Sequence, residues 1–412
     1  MIAGLGNLLG PILILSTYDD PSKPKKSLLD TFMNNSGYIQ EDQKHTHFYT
    51  EQQKKVLKQI KANSSHGAII DGGPGTGKTL IAIERTVELA SEGHDVLLLC
   101  YNKNLCSYLK SRYEDAFPYD QPGTVEIDYL HRLLVKSLRN KGIETNPRDD
   151  HKYWSQTLPN QFKTYFPSNT TEKKYDHVVI DEGQDIFHEQ YIDAIELFLR
   201  DAWTSNNWTI FIDSKYQTVY QDYDKQLFKT FRDIYDAYYY QLFDNCRNTE
   251  QIIEIAFLHT GFKKISCKKD SKVKPSIYQY KSDKDLIVKL EKKIKELTRE
   301  DRIPKNWITI LCSNTHQDLL IEHDNKKYYQ LNDYQALKNN DAISLVTPHS
   351  FKGLENETII YIAKPKFDED NKEILKEYYT AYTRSKSNLI IYLPESIVTD
   401  LDSFTMKNLK DN

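Results

Sequence analysis

The run Gly72-Gly73-Pro74-Gly75-Thr76-Gly77-Lys78-Thr79 has the spacing G-x-x-x-x-G-K-[ST], which suits it to gripping a polyphosphate. Glycines let backbone N–H groups converge on phosphate oxygens without Cβ clashes, and a helix opening on the loop adds its positive end. Lys78 can neutralise β/γ-phosphate charge, and Thr79 can offer a hydroxyl to Mg²⁺. Further on, Asp181 and Glu182 close the apolar run Val178-Val179-Ile180. Two acids at a strand end are often only loop decoration. Behind a P-loop, Asp181 is placed to hold Mg²⁺ and Glu182 to orient or deprotonate an attacking water, which points to hydrolysis of a γ-phosphate. The loop does not choose the reaction by itself, because kinases, GTPases, transporters and motors share it.

These residues need a strand on one side and a helix on the other. Gly67 to Asp71 reads as a short buried strand, and Leu80 to Ala90 as the helix opening on the loop. Further buried strands are expected at Val96 to Cys100, His177 to Ile180 and Trp208 to Ile212, with a helix around Leu105 to Arg112. Arg139 to Lys174 is polar and lacks strong periodicity, so it reads as an insertion outside the sheet. Past the tyrosines of 235–240 the pattern restarts. Strands are expected at Ile277 to Tyr280, Ile308 to Cys312, Ile343 to Val346, Thr358 to Ile362 and Leu389 to Tyr392. Helices fall at about Asp283 to Leu297, with Ser282 as N-cap, and at Lys372 to Thr383. The fold class is therefore α/β with parallel sheets in two halves, joined between roughly Tyr223 and Tyr240.

Composition sets limits on partners. At 412 residues the chain exceeds one ordinary core, and a net charge of −4 makes it no bulk electrostatic magnet for nucleic acid. Binding to a strand needs a local groove. Five scattered cysteines without a C-x-x-C pair favour reduced thiols and a cytoplasmic setting over disulfides or structural zinc. Met1 to Leu15 is apolar but lacks a positive n-region and is too short to span a bilayer, so it reads as a segment packing on the body or docking a partner, with no membrane role.

Asp181-Glu182-Gly183-Gln184-Asp185 resembles motif II of superfamily 1 helicases of the UvrD, PcrA and Rep type, and other segments match in that family's order. Tyr49-Thr50-Glu51-Gln52-Gln53 is similar to the Q motif, which implies that Gln53 reads the adenine edge. Leu99 to Leu105 resembles motif Ia, and Phe211 to Tyr220 resembles motif III, which makes Gln217 the γ-phosphate sensor. Leu242 to Asn248 resembles motif IV, Thr347 to Glu355 motif V, and Tyr379 to Lys386 motif VI. The resemblance covers about Tyr49 to Tyr392. It implies two RecA-like domains, residues 48–228 and 229–412, after an N-terminal segment 1–47, with a small insertion at about 139–174 and ATP in the cleft between them. It also implies Arg247 and Arg384 as fingers on the transferred phosphate, Glu355 at the ATP site, and Tyr101, Asn102, His131, Thr347, His349 and Lys352 as contacts to a nucleic-acid strand.

The expected activity is ATP- and Mg²⁺-dependent translocation on single-stranded DNA, 3′ to 5′ by resemblance. There are departures. Cys246 stands where relatives carry an adenine-stacking tyrosine, unless Tyr49 or Phe243 substitutes. Gln221-Asp222-Tyr223-Asp224 replaces an aromatic–Arg pair that meets DNA, and the large helicase insertions are missing. An alternative therefore stands beside the motor: an ATP-driven switch that docks and regulates a partner such as a nuclease, with little unwinding of its own.

Overall fold

The computed structural model describes residues 50–116, 122–146, 150–166, 174–215, 224–269, 273–332, 334, 337 and 341–410. Contacts divide the chain into two units, one spanning His47–Phe243 and the other containing Asp244–Asn412.

Strands apolar at nearly every position demand cover on both faces, and parallel sheets provide it. In the first unit, β1 (Ala68–Gly72), β2 (Val96–Cys100), β3 (Val125–Tyr129), β4 (His177–Ile180), β5 (Trp208–Ile212) and β6 (Tyr238–Leu242) form a six-stranded sheet in the order β3-β2-β4-β5-β1-β6. Every neighbouring pair is parallel. Side chains alternate between two cores. Ile69, Leu97, Leu99, Val178, Ile180 and Ile210 meet α4 (Leu130–Asn140), α5 (Leu158–Tyr165), α6 (Glu189–Glu196) and α7 (Lys225–Ile234). Ile70, Val96, Leu98, Val179 and Phe211 face α1 (Glu51–Ala62), α2 (Lys78–Ser91) and α3 (Lys103–Ala116).

The strands expected at Val96, His177 and Trp208 form, and the helix opening on the loop begins at Lys78. The segment read as an insertion adds no strand among its described residues but supplies Tyr153, Leu158, Phe162 and Phe166 to the first of the two cores. Two strands of this sheet went unexpected. β3 and β6 sit at the sheet edges, where one side of each strand has no partner strand and polar residues are tolerated.

The second unit repeats the architecture. A sheet of β11 (Tyr328–Gln330), β12 (Ile343–Val346), β10 (Ile308–Leu311), β13 (Asn356–Ile362), β14 (Ser385–Pro394) and β9 (Ser276–Tyr280) runs in that order, again all parallel. One face packs on α9 (Asp283–Lys295) and α10 (Asn314–His323) through Leu286, Leu290, Ile294 and Leu320. Ser282 caps α9 as expected, its hydroxyl accepting from the Asp285 amide. A short pair, β7 (Asn245–Thr249) with β8 (Cys267–Lys269), leads into α8 (Glu250–Thr260), which packs on α11 (Lys372–Thr383) and α12 (Glu395–Lys410).

Candidate active site

β1 ends at Gly72, and the chain turns through the loop into α2 with Gly75 at φ 75° and Gly77 at φ 86°. Both values lie in the left-handed region that favours glycine. A Cβ on Gly77 would sit 2.3 Å from Gln53 Nε2, and one on Gly72 2.6 Å from Thr76 Oγ1, so the cradle depends on bare backbone. Thr76 Oγ1 donates to the Gly73 carbonyl at 2.8 Å. The Lys78 ammonium is buried and donates to the carbonyls of Gly72 and Gly73 at 2.7 and 3.1 Å, which holds it over the loop where phosphate charge would arrive.

Asp181 and Glu182 follow β4, separated from β1 by β5. Asp181 is 0% exposed, and its Oδ1 accepts from the Glu182 amide at 3.0 Å. Its Oδ2 is buried and has no hydrogen-bond partner among the described residues. Burial, followed by repulsion from Glu182, raises the Asp181 carboxyl to about 7, while Thr79 and Lys78 pull the other way. A buried carboxylate oxygen without a protein donor, beside a threonine hydroxyl and a lysine, fits a divalent cation. Among the described residues no group of three or more His, Cys, Asp or Glu is placed to hold a metal ion by itself.

Glu182 adopts φ 54°, unusual for a side chain with a Cβ and costing about 1–2 kcal/mol. Gln184 holds it there by donating Nε2 to the Glu182 carboxylate, while Gln184 Oε1 accepts from the Asp213 amide at 2.9 Å. The next residue, Ser214, donates its amide and hydroxyl to Asp71 at 3.1 and 2.6 Å, and Tyr239 donates to the same carboxylate. Sequence reading missed Asp71, Gln184 and Ser214 as a linked set; the one signal was a charged residue ending an otherwise apolar strand. Gln217 lies outside the described residues.

Gln53 packs under the loop. It is 3% exposed, its Oε1 accepts from the Thr50 amide at 2.9 Å, and its Nε2 donates to the Thr76 carbonyl at 2.9 Å.

The residues expected to meet a strand fall into two sets, one in each unit. In the first, Tyr101 and His131 meet edge to face at 4.9 Å between centroids. Trp154 lies 5.0 Å from the His131 ring, and the Tyr191 hydroxyl is 3.0 Å from His131 Nε2. Burial lowers His131 to about 4, so its ring is neutral near pH 7. Asn102 caps α3, its Oδ1 accepting from the amides of Asn104 and Leu105.

In the second unit, Thr347 Oγ1 accepts the Ser350 amide at 3.1 Å, and burial, then Lys352, lowers His349. Lys352 is buried. Arg247 Nε donates to Glu355, and Lys386 lies 3.1 Å from the other Glu355 oxygen. Arg384, 1% exposed, donates Nε to the Thr380 carbonyl at 3.3 Å and Nη1 to the Leu354 carbonyl at 3.2 Å. Asn248 ties the region together by donating to the carbonyls of Thr383 and Ser385.

A glycine cradle with a buried lysine and, two strands away in the same parallel sheet, an acidic pair at a strand end mark a P-loop type α/β protein. More narrowly, the chain belongs to the family described as Schlafen group 3, DNA/RNA helicase domain, whose model matches residues 65–343, more than half of the sequence. The helicase part of the sequence expectation stands, while its narrower UvrD, PcrA and Rep placement is not the family that matches. Thr347, His349, Lys352, Glu355 and Arg384 lie beyond the matched range. No curated protein matches the chain. Among the described residues no helix is long and apolar enough to cross a membrane.

Proposed function

We propose that this chain is an ATP-driven translocase or helicase on single-stranded nucleic acid, with DNA as the preferred track and 3′ to 5′ as the direction. The observation carrying the reading is the pairing of Lys78 over a bare-backbone loop with a buried Asp181 oxygen that lacks a protein partner among the described residues. Lys78 leaves the Gly72 and Gly73 carbonyls for the β/γ-phosphates. Thr79 and Asp181 would hold Mg²⁺, which would supply positive charge against that of the phosphates and of the Asp181 carboxylate. Glu182, kept in position by Gln184, orients the attacking water and takes its proton. Gln217 senses the γ-phosphate. Arg247 and Arg384 stabilise the charge that builds as the bond breaks, and closure of the units on ATP with reopening after hydrolysis is the stroke.

Turnover should rise severalfold with single-stranded DNA and less with RNA or duplex, and unwinding should occur on 3′-tailed but not 5′-tailed duplexes. Turnover indifferent to every nucleic acid overturns the motor. A second reading, an ATP-driven switch docked on a partner such as a nuclease, draws on Gln221-Asp222-Tyr223-Asp224, whose two carboxylates would repel a phosphate backbone. Turnover unmoved by DNA but altered by a co-purifying protein favours that switch.

A further inference from the structure

The nucleotide reading leaves open what faces the base. Gln53 has both ends of its amide engaged, with Thr50 and with Thr76, each at 2.9 Å. That spends one of its two N–H donors and one of its two carbonyl lone pairs within the protein, so it is only partly available to a base edge. Cys246 Sγ donates to the Asp244 carbonyl at 3.5 Å and offers little π surface.

An aromatic ring does stand beside the loop. β6 pairs with β1 so that Leu242 lies next to Gly72, the first loop residue, and a Cβ on Gly72 would come 2.9 Å from Leu242 Cβ. Phe243 follows immediately. Its amide donates to Gln52 Oε1 at 3.0 Å, and Gln52 Nε2 returns to the Gln241 carbonyl at 3.3 Å. The first turn of α1, the end of β6 and the mouth of the P-loop therefore meet within the first unit. The Phe243 side chain is 55% exposed there. In parallel sheets ligands bind beyond the carboxyl ends of strands, and β1 and β6 both end at this point.

We propose that Phe243 is the aromatic wall of the base subsite, stacking on the base of a bound nucleoside triphosphate, with Gln52 fixing its backbone. The proposal rests on the P-loop reading above. Every base has a π face, so stacking tolerates base identity. With stacking as the main base contact and half of the Gln53 amide spent within the protein, the site should separate a nucleoside triphosphate from bare triphosphate strongly, and adenine from guanine less.

The test is calorimetric titration of Mg-ATP, Mg-GTP and Mg-tripolyphosphate into the full chain and its variants. Phe243→Ala should weaken ATP and GTP by about tenfold, the scale of one lost stacking contact, and leave tripolyphosphate unchanged. Unchanged tripolyphosphate binding also reports an intact fold. Phe243→Trp should restore ATP affinity, and Cys246→Ala should bind like the parent. Lys78→Ala should weaken all three ligands. If Phe243→Ala binds ATP like the parent while Lys78→Ala does not, or if Cys246→Ala takes the loss instead, the base-wall proposal falls and the P-loop reading stands. If Lys78→Ala binds all three ligands like the parent, the P-loop reading itself falls.

Discussion

Ser214 donates to both carboxylate oxygens of Asp71, through its amide at 3.1 Å and its hydroxyl at 2.6 Å. Asp71 is in the strand feeding the P-loop, and Ser214 follows the strand whose continuation leads to Gln217. Tyr239 of β6 donates to the same carboxylate, and Gln184 links Asp213 to Glu182 on the other side. A polar strap thus runs from β6 across β1 to the residues that follow β5 and β4, linking the strand that feeds the P-loop to Glu182.

Cutting that strap should be costly. Asp71→Ala removes the acceptor of half-buried donors on Ser214 and Tyr239, a loss of about 0.5–1.5 kcal/mol per hydrogen bond by the usual scale. Thermal unfolding should shift down accordingly, and, if Glu182 acts on the attacking water as proposed, ATP turnover should fall more than the KM for ATP rises. A variant that melts and turns over like the parent would show the strap to be incidental.

Arg247 and Glu355 make a second coupled pair. Burial opposes ionisation of Glu355, but Arg247 and Lys386 hold its carboxyl well below the usual carboxylate range. A depressed carboxyl contributes stability above its unfolded value of about 4.5 and loses it as pH falls below that. Glu355→Gln should therefore lower stability by about 1–2 kcal/mol at pH 7, allowing for partial exposure, with the deficit shrinking as pH drops below 4.5. Denaturant melts at pH 7 and pH 4 measure it, and an equal deficit at both would contradict the ion-pair account.

Much of this was legible from residue order. All-apolar strands such as Val96–Cys100 can only be central, and the P-loop fixes its own strand and helix. Edge strands were harder. Val125–Tyr129 carries Glu126 and Asp128, which looks like a loop until Glu126 is seen accepting from Lys136 and Tyr175, and Asp128 from Arg132. Tyr238–Leu242 read as part of a joint because tyrosines satisfy strand and linker alike; its pairing with β1 is a long-range fact. The engagement of Gln53 was equally hidden, since a capping box with Thr50 and an adenine-reading glutamine share one local pattern.

Trp154 is the aromatic that sequence reading passed over. It joins Tyr101, His131 and Tyr191 in one cluster, with the His131 ring between Tyr101 and Trp154 at 4.9 and 5.0 Å. A base stacked on such a cluster contributes about 1–3 kcal/mol. Trp154→Ala should raise the Kd for a fluorescent oligothymidine by about tenfold in anisotropy titrations, with Trp154→Phe intermediate. Unchanged affinity would remove this cluster from the strand path.

His259 predicts an acid-side weakness. It is fully buried with Nδ1 2.8 Å from the Tyr382 hydroxyl, and burial lowers it from 6.5 to about 3. Between those values the unfolded chain binds the extra proton, so stability falls as pH falls, by about 2 kcal/mol from this group between pH 6.5 and 5. His259→Gln should flatten the slope of unfolding free energy over that interval. An identical slope would assign the acid sensitivity elsewhere.

The central claim, hydrolysis by a Lys78–Asp181–Glu182 site in the service of a nucleic-acid strand, is tested most directly by steady-state ATP turnover with and without single-stranded DNA. The parent should be stimulated by DNA, Lys78→Ala should lose turnover, and Glu182→Gln should retain ATP binding while turnover drops by about 10²–10⁴-fold. Undiminished turnover in Glu182→Gln or Lys78→Ala would contradict the account.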